Sequence, residues 1–451
     1  MIGMYRLPLL LLALFLFGCA ATDTPGRPKS VAPDRRSGPM DLAPGSSDSG
    51  LPMPPGAQQI RIAVLLPLSG PAAEIGHDLL DAATIALFDA RDPRLSLLPF
   101  DTGGSAEGAR RSAEAAVAAG ASVAIGPLFS ENVQAAAPVL SAAGIPLLGL
   151  SNDAGAAGPG VYLMGFMPDQ EVTHIISHAI ATGHRRIAAL LPLSPYGERV
   201  MEGLGATVLA MGGEIVSLMR FEPDPDRLAA PIRQLAQYDR RHSAWQAEIA
   251  ALEALGDDLS REILKRLETE ETIGDPGFDA VLIAAGDPLL RSIAPLLPYY
   301  EIDPAKIRFL GTGLWDDPLL AREPPLRGGR FPAPDPKLPQ AFLDRFESLI
   351  GHRPARIVTL AYDAMSLVAL LAREPVSEER FSAVHLEDPA GFSGLDGPFR
   401  FRSDGIAERL LAILEIGADG MHVVVPAAAG FAVPGPFAVH GLRQEARLSG
   451  R

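Results

Sequence analysis

The sequence predicts an α/β protein of two lobes, each a parallel sheet with helices on both faces, and three observations carry that prediction. Short aliphatic runs alternate with longer stretches whose apolar residues recur at helical spacing, the mark of strand–helix–strand units. The aliphatic runs are continuous and do not alternate with polar residues, as befits strands buried on both faces. About 390 residues follow a polar N-terminal segment, enough for two such lobes.

The first lobe opens with Ile62 to Leu66, and Ser69-Gly70-Pro71 turns the chain into a helix carrying Ile75, Leu79, Ala82, Ala83 and Ala86 on one face. The cycle repeats through a strand at Leu95 to Phe100, a helix over Ala106 to Ala119, a strand at Ser122 to Ile125, a helix over Val133 to Ala143 and a strand at Pro146 to Leu150. By Val161 one lobe is complete. The second begins with a helix around Glu171 to Ala181, a strand at Arg186 to Leu191, a turn at Ser194-Pro195-Tyr196-Gly197 and a helix to Met211. Strands at Ile215 to Met219, Ala280 to Ala284 and Ile307 to Leu310 follow, with helices near Leu228 to Tyr238 and Leu289 to Leu297.

Two amphipathic stretches interrupt this lobe. Trp245, Ile249, Leu252 and Leu255, then Leu259, Ile263 and Leu267, mark helices that meet near Gly256-Asp257-Asp258. They read either as a solvated helical insertion or as an arm that docks a partner. After the Pro-rich Glu323 to Pro339, Gln340 to Ile350 and Ile357 to Ala372 are helical. Phe392 to Phe401 and Leu410 to Ile416 read as an antiparallel pair, with Ser403-Asp404-Gly405 as turn. The expected division is 59–163 and 320–390 for the first lobe, 164–319 and 391–431 for the second with its insertion at 239–278, and a tail at 432–451.

The N-terminal segment carries Arg6 and an apolar run from Leu7 to Phe17, too short to span a bilayer and shaped like a secretory signal over residues 1–18. It ends at Leu16-Phe17-Gly18-Cys19, the lipobox pattern, and Cys19 is the only cysteine of the 451 residues. Cys19 is therefore the expected lipid-attachment site, with no Asp after it, an outer-membrane rather than inner-membrane address. Residues 19–58, dense in Pro, Gly, Ser and Asp, read as a disordered tether. A formal charge of −15 argues against nucleic acid or an anionic membrane surface as partner, so the membrane is reached through the lipid alone.

In an open α/β sheet, ligands sit beyond the carboxyl ends of the strands, where helix N-termini present free N–H groups. Ser69, Ser130, Ser151 and Asn152 fall at such ends and could hold a small polar ligand, or could cap helices and make turns. Asp287 and Asp316, each just after a strand, are candidates for an ammonium partner or are caps. No cofactor is expected. Gly149-Leu150-Ser151-Asn152-Asp153 lacks the closing Gly of a nucleophile elbow, and no Walker-type lysine follows a Gly-rich turn. His174 and His178, four apart near Glu171, have a spacing that can bind zinc, but a solvated helical face is the better reading.

These residues together resemble the leucine-binding type of type I periplasmic binding protein, whose Rossmann-like lobes are joined by a multi-strand hinge. Ile62-Ala63-Val64-Leu65-Leu66-Pro67-Leu68-Ser69-Gly70-Pro71, Ala124-Ile125-Gly126-Pro127 with Ser130, Gly144-Ile145-Pro146 leading to Ser151, and Ser194-Pro195-Tyr196-Gly197 carry the likeness. It adds Gly70 and Tyr196 to the expected ligand-binding set. Where amino-acid binders have consecutive hydroxyl residues, Leu128 and Phe129 precede the single Ser130, which argues against a gripped carboxylate. Within that superfamily the sequence is most similar to the penicillin-binding protein activators, through the LLPLSGP opening, the lipobox and tether, the insertion, and Phe392-Ser393-Gly394-Leu395-Asp396-Gly397-Pro398-Phe399-Arg400-Phe401. It lacks the long N-terminal helical-repeat domain of some activators. That likeness implies a non-catalytic regulator of peptidoglycan synthesis partnered with a bifunctional peptidoglycan synthase. The alternative is the binding component of a branched-chain amino-acid importer.

Overall fold

The computed structural model of the protein describes residues 58–373 and 380–431. Cys19, almost all of the expected tether and the C-terminal tail lie outside them. The first sheet is wholly parallel, in the order β2-β1-β3-β4-β5. Its strands are β1 (Ile60–Leu66), β2 (Leu95–Asp101), β3 (Val123–Ile125), β4 (Leu147–Gly149) and β5 (Val161–Leu163), linked by α1 (Ala73–Ala90), α2 (Ala106–Ala118) and α3 (Ser130–Ala142). β1 explains the continuous aliphatic run. Side chains alternate across a strand, so Ile62, Val64 and Leu66 enter one core while Ala63 and Leu65 enter the other. Both sets are fully buried. Helix starts are set locally, as where Ser105 Oγ accepts the Gly108 N–H at 3.1 Å at the head of α2.

The chain crosses to the second lobe after β5 and continues as α4 (Pro168–Ala181), β6 (Arg186–Pro192), α5 (Pro195–Met211), β7 (Glu214–Phe221) and α6 (Ala229–Leu235). The insertion follows as two helices, α7 (Tyr238–Leu255) and α8 (Asp258–Leu267). Gly256, in the left-handed region at φ 67°, ends α7, and Asp257 caps α8 by accepting the Ser260 N–H at 2.7 Å. Next come β8 (Ala280–Ile283), α9 (Leu289–Ile293), α10 (Leu296–Tyr299), β9 (Arg308–Leu310) and β10 (Arg330–Ala333). A second crossing leads to α11 (Gln340–Ile350), α12 (Thr359–Leu371), α13 (Ala383–Leu386), β11 (Phe392–Gly394), β12 (Gly397–Phe401) and β13 (Ala407–Arg409). A third returns the chain to β14 (Ala412–Ile416) and β15 (Met421–Val425), completing a sheet in the order β15-β14-β10-β9-β8-β6-β7.

Strand pairing corrects the expected division in two places. Arg330–Ala333 was allotted to the first lobe, yet β10 lies between β9 and β14 and places Phe331 and Ala333 in the second core. Phe392–Arg409 was allotted to the second lobe, yet β11, β12 and β13 form a separate three-stranded sheet whose Phe399, Phe401 and Ala407 join the first core. The expected pairing of 392–401 with 410–416 does not form either: β12 pairs with β11 and β13, and β14 with β10 and β15. The turn at Ser403-Asp404-Gly405 joins β12 to β13 instead, closed by the Arg402 N–H to the Ile406 carbonyl at 3.0 Å. An alternating apolar pattern states which face is buried and leaves the partner strand open.

Candidate ligand-binding cleft

Between the lobes lies a cavity of about 420 Å³, within the range of small-molecule sites. The turn before α3 supplies Leu128 and Phe129 to its wall, the end of β4 supplies Leu150 and Asn152, and the first crossing supplies Gly165 and Phe166. Across from them stand Glu171 on α4, Tyr196 on α5, and Gly313, Leu314 and Asp316 from the loop after β9. The approach to α12 closes the floor with Arg356, Ile357 and Leu360. The walls are therefore largely apolar and aromatic, with a few polar groups converging.

The loop after β9 is held from beneath. Trp315 is fully buried against Phe331, ring centroids 6.4 Å apart, and Thr312 closes the turn by accepting the Trp315 N–H at 2.9 Å on its carbonyl. Gly313 comes so close to α4 that its N–H donates to Glu171 Oε2 at 3.0 Å, and any Cβ there would collide with that carboxyl. Glu171 is 7 % exposed. Burial pushes its pKa up to about 8; the Gly313 hydrogen bond opposes this, while the Asp169 and Asp316 carboxylates reinforce it. Tyr196 pairs its hydroxyl with Thr312 Oγ1 at 2.6 Å, and burial beside Glu171 raises the phenol above its ordinary range.

Arg356 joins the lobes. Its Nη1 donates to Asp316 Oδ2 at 2.9 Å across the cleft, and its Nη2 to Asp396 Oδ1 at 3.0 Å within the first lobe. Its Nε is buried with no partner. Asp396 is buried and also accepts from Thr359 Oγ1 at 2.5 Å. Burial raises the Asp316 pKa, Arg356 opposes it, and Asp396 adds to it. Behind this pair, Asp363 accepts the Leu395 N–H at 2.7 Å; burial pushes its carboxyl up to about 7, with Asp396 adding to the rise. Arg409 donates Nε and Nη2 to the Met164 carbonyl at 3.2 and 2.8 Å, with its guanidinium over the rings of Phe166 and Phe399. It thereby ties the first crossing to the third. A second cation spans the lobes at the rim, where Arg199 of α5 pairs with Asp153.

Of the residues expected from the sequence, Asn152 and Tyr196 line the cavity and Ser69, Gly70, Ser130 and Ser151 do not. Ser151 is buried and its Oγ accepts the Asp153 N–H at 3.1 Å, a turn contact. Ser69 is exposed and gives its N–H to Asp101 at 3.2 Å; Gly70 sits in the same exposed turn at φ 81°. Ser130 begins α3, while the two apolar residues before it face the cleft. Asp316 lines the cavity, whereas Asp287 pairs with Arg291 at 2.9 Å away from it. Glu171, His174 and His178 do not converge. Glu171 turns to the cleft and His178 Nε2 lies 3.2 Å from Arg330 Nη1; among the described residues no His, Cys, Asp and Glu cluster could hold a metal ion. Sequence reasoning missed Arg356, Phe129 and Phe166 as wall residues. Nothing local marks Arg356, an arginine before an apolar helix.

A sequence profile of the periplasmic binding proteins matches residues 59–421, most of the chain. The chain belongs to the periplasmic binding protein family. The family is one of non-catalytic binding proteins, and among the described residues no helix is long and apolar enough to cross a membrane. An uncharacterized protein of Rickettsia prowazekii is 22 % identical over 179 residues; the chain spans about half the length of that relative (48 %), by 40 % of its own. A protein of Rhodospirillum rubrum assigned to a branched-chain amino acid ABC transporter superposes with a TM-score of 0.64 at 17 % identity, over 81 % of this chain and 100 % of that one. The LivJ substrate-binding protein of Streptococcus pneumoniae, in complex with isoleucine, gives 0.53 at 17 %, over 82 % and 100 %. A solute-binding protein of Rhodopseudomonas palustris, in complex with 3,4-dihydroxybenzoic acid, gives 0.57 at 17 %, over 84 % and 99 %. At these identities the likeness is one of fold.

Proposed function

We propose that this periplasmic binding protein is the receptor for a small solute with an apolar body, captured between its lobes and delivered to an importer. The observation that carries the reading is the cavity itself, formed by both lobes, apolar-walled, and entered by Asn152, Glu171, Tyr196, Asp316 and Arg356. Fold relatives solved in complex with isoleucine or 3,4-dihydroxybenzoic acid support it. The test is a thermal-shift screen of the full chain against amino acids, aromatic acids and amines, since a ligand that binds only the folded state raises the melting temperature. A hit should disappear in Leu314→Trp, which extends bulk into the cavity. No hit in the screen, or a hit indifferent to Leu314→Trp, sinks the reading.

A second reading, a penicillin-binding protein activator that contacts a bifunctional peptidoglycan synthase, is supported by the helical arm. Leu255 and Leu259 are 68 % and 66 % exposed at its tip. Its root is built into the second lobe, where Arg241 pairs with Glu301 at 3.2 Å, and its two helices are tied together where Trp245 Nε1 donates to the Leu267 carbonyl at 3.2 Å. A deletion that spares the lobe therefore replaces Ile249 to Ile263 with a short Gly-Ser linker. Undiminished binding of a purified synthase by that variant removes the arm from the interface. Lipidation at Cys19 and residence on the periplasmic face of the outer membrane belong to both readings; labelled fatty acid taken up by Cys19→Ala would contradict them.

A further inference from the structure

The cleft is unequal in its charges. Four carboxyl groups, those of Glu171, Asp316, Asp363 and Asp396, stand in or directly behind the cavity against two guanidinium groups, Arg356 and Arg409. Both guanidinium groups are already engaged by the protein, although Arg356 Nε and Arg409 Nη1 are buried without a partner. Arg356 gives one outer nitrogen to Asp316 and the other to Asp396, and its Nε is buried. Arg409 is buried, turned to the Met164 carbonyl, and covered by Phe166 on the cleft side. A ligand carboxylate would have to displace Asp316 or Asp396 from Arg356 and leave a carboxylate unpaired in an apolar cavity, a costly exchange. Glu171, by contrast, accepts a single hydrogen bond, from the Gly313 N–H on Oε2, and its residue lines the cavity.

We propose that the cleft takes a monocation, a solute with an apolar or aromatic body and an ammonium or amidinium group but no free carboxylate, its cationic end on Glu171 and Asp316. The inference rests on the solute-binding reading of the same cleft. Phe129, Phe166 and Leu314 offer the surface for the body. A cation in such a site must be met by a carboxylate, and Glu171 is the one without a basic partner. Its charged and titratable neighbours are Asp169, Asp316 and Tyr196, none of them cationic. With no cation beside it and its pKa pushed up to about 8 by burial, Glu171 holds its proton at neutral pH. A bound ammonium favours the ionised carboxylate, so binding near pH 7 releases a proton to solvent; a bound anion disfavours it and releases none.

Isothermal titration of the full chain near neutral pH with phenethylamine, benzamidine, benzoate, isoleucine and benzyl alcohol, in two buffers of different ionisation enthalpy, tests this. Phenethylamine or benzamidine should bind about tenfold or more tighter than benzoate and isoleucine, and the buffer dependence of the heat should report proton release. Glu171→Gln should weaken the cation about tenfold while leaving benzyl alcohol within about twofold. Asp316→Asn, the second variant, frees Arg356 Nη1 and should shift preference toward benzoate. Benzoate or isoleucine binding more tightly than either cation, proton uptake on cation binding, or cation affinity unchanged in both variants overturns the charge assignment while leaving a solute-binding protein. Failure of all five compounds alongside a hit in the wider thermal-shift screen overturns it too; failure in both overturns the solute-binding reading with it.

Discussion

The two lobes share a strand–turn–helix plan but bring different chemistry to the cleft. At the strand ends of the first lobe the small polar residues serve the turns: Ser151 accepts the Asp153 N–H, and the backbone of Ser69 is tied to Asp101. What that lobe turns inward from those strand ends is Leu128, Phe129, Leu150 and Asn152. The second lobe brings Glu171, Tyr196 and Asp316, titratable groups set in apolar surroundings. A shared strand–turn–helix plan thus yields a mostly apolar wall on one side and a carboxyl-bearing wall on the other. The difference arises from which side chains close their hydrogen bonds within their own loop.

Arg356 is where the contrast breaks most severely, because it sets a first-lobe cation on a second-lobe carboxylate. Arg356→Met should strand Asp396 in the core and cost roughly 3 kcal/mol, the usual penalty of breaking a buried pair, read as a drop in urea midpoint. Asp396→Asn in the same background should restore much of the loss.

Glu171 gives the next largest effect, and its sign is fixed by the raised pKa. In the folded chain burial pushes the carboxyl up to about 8; unfolded, it returns to its ordinary 4.5. The folded chain therefore binds the extra proton between those values, and its stability falls as pH rises through that window. Glu171→Gln should match the wild type near pH 5 and exceed it by roughly 2–4 kcal/mol near pH 9. Melting curves that stay parallel across this range would show that Glu171 ionises freely in the folded state.

Within the first lobe the expected ranking sharpens the comparison. Asn152→Ala should weaken the bound solute by about three- to tenfold, one lost hydrogen bond, whereas Ser69→Ala and Ser130→Ala should stay within about twofold. A large loss at either serine would mean that the occupied cleft draws those turns inward. Replacing Ile249 to Ile263 should change solute affinity least of all, since the arm and the cleft share no wall residue.

Much of the fold was legible because burial on both faces leaves a mark in the sequence. Ile62 to Leu66 could be placed as a central strand from composition alone, and Gln340–Ile350 is the helix its spacing predicts. Residues 392–401 and 410–416 read as strands but pair with other partners than expected, since Phe399 and Leu414 obey the same alternation while joining different cores. The cleft was less legible for a related reason. Asn152 and Tyr196 lie next to recognisable turns, but Arg356 reaches the site only because the second crossing returns the chain to the first lobe. Glu171 was visible only as a neighbour of two histidines; what singles it out is the approach of Gly313, 142 residues further on.

The two cations that span the lobes lie at different depths, and this has a kinetic consequence. Arg199 and Asp153 meet at the rim with side chains 31 % and 36 % exposed, while Asp316, the partner of Arg356, retains 18 %. Arg356 itself is 26 % exposed, so dissolved salt screens the first pair somewhat more than the second. Added electrolyte should therefore loosen the outer clasp and hasten solute exchange, with the inner clasp still setting the closed geometry. For an uncharged probe such as benzyl alcohol, stopped-flow entry and exit rates would then rise together with ionic strength, and the equilibrium between bound and free probe would move little.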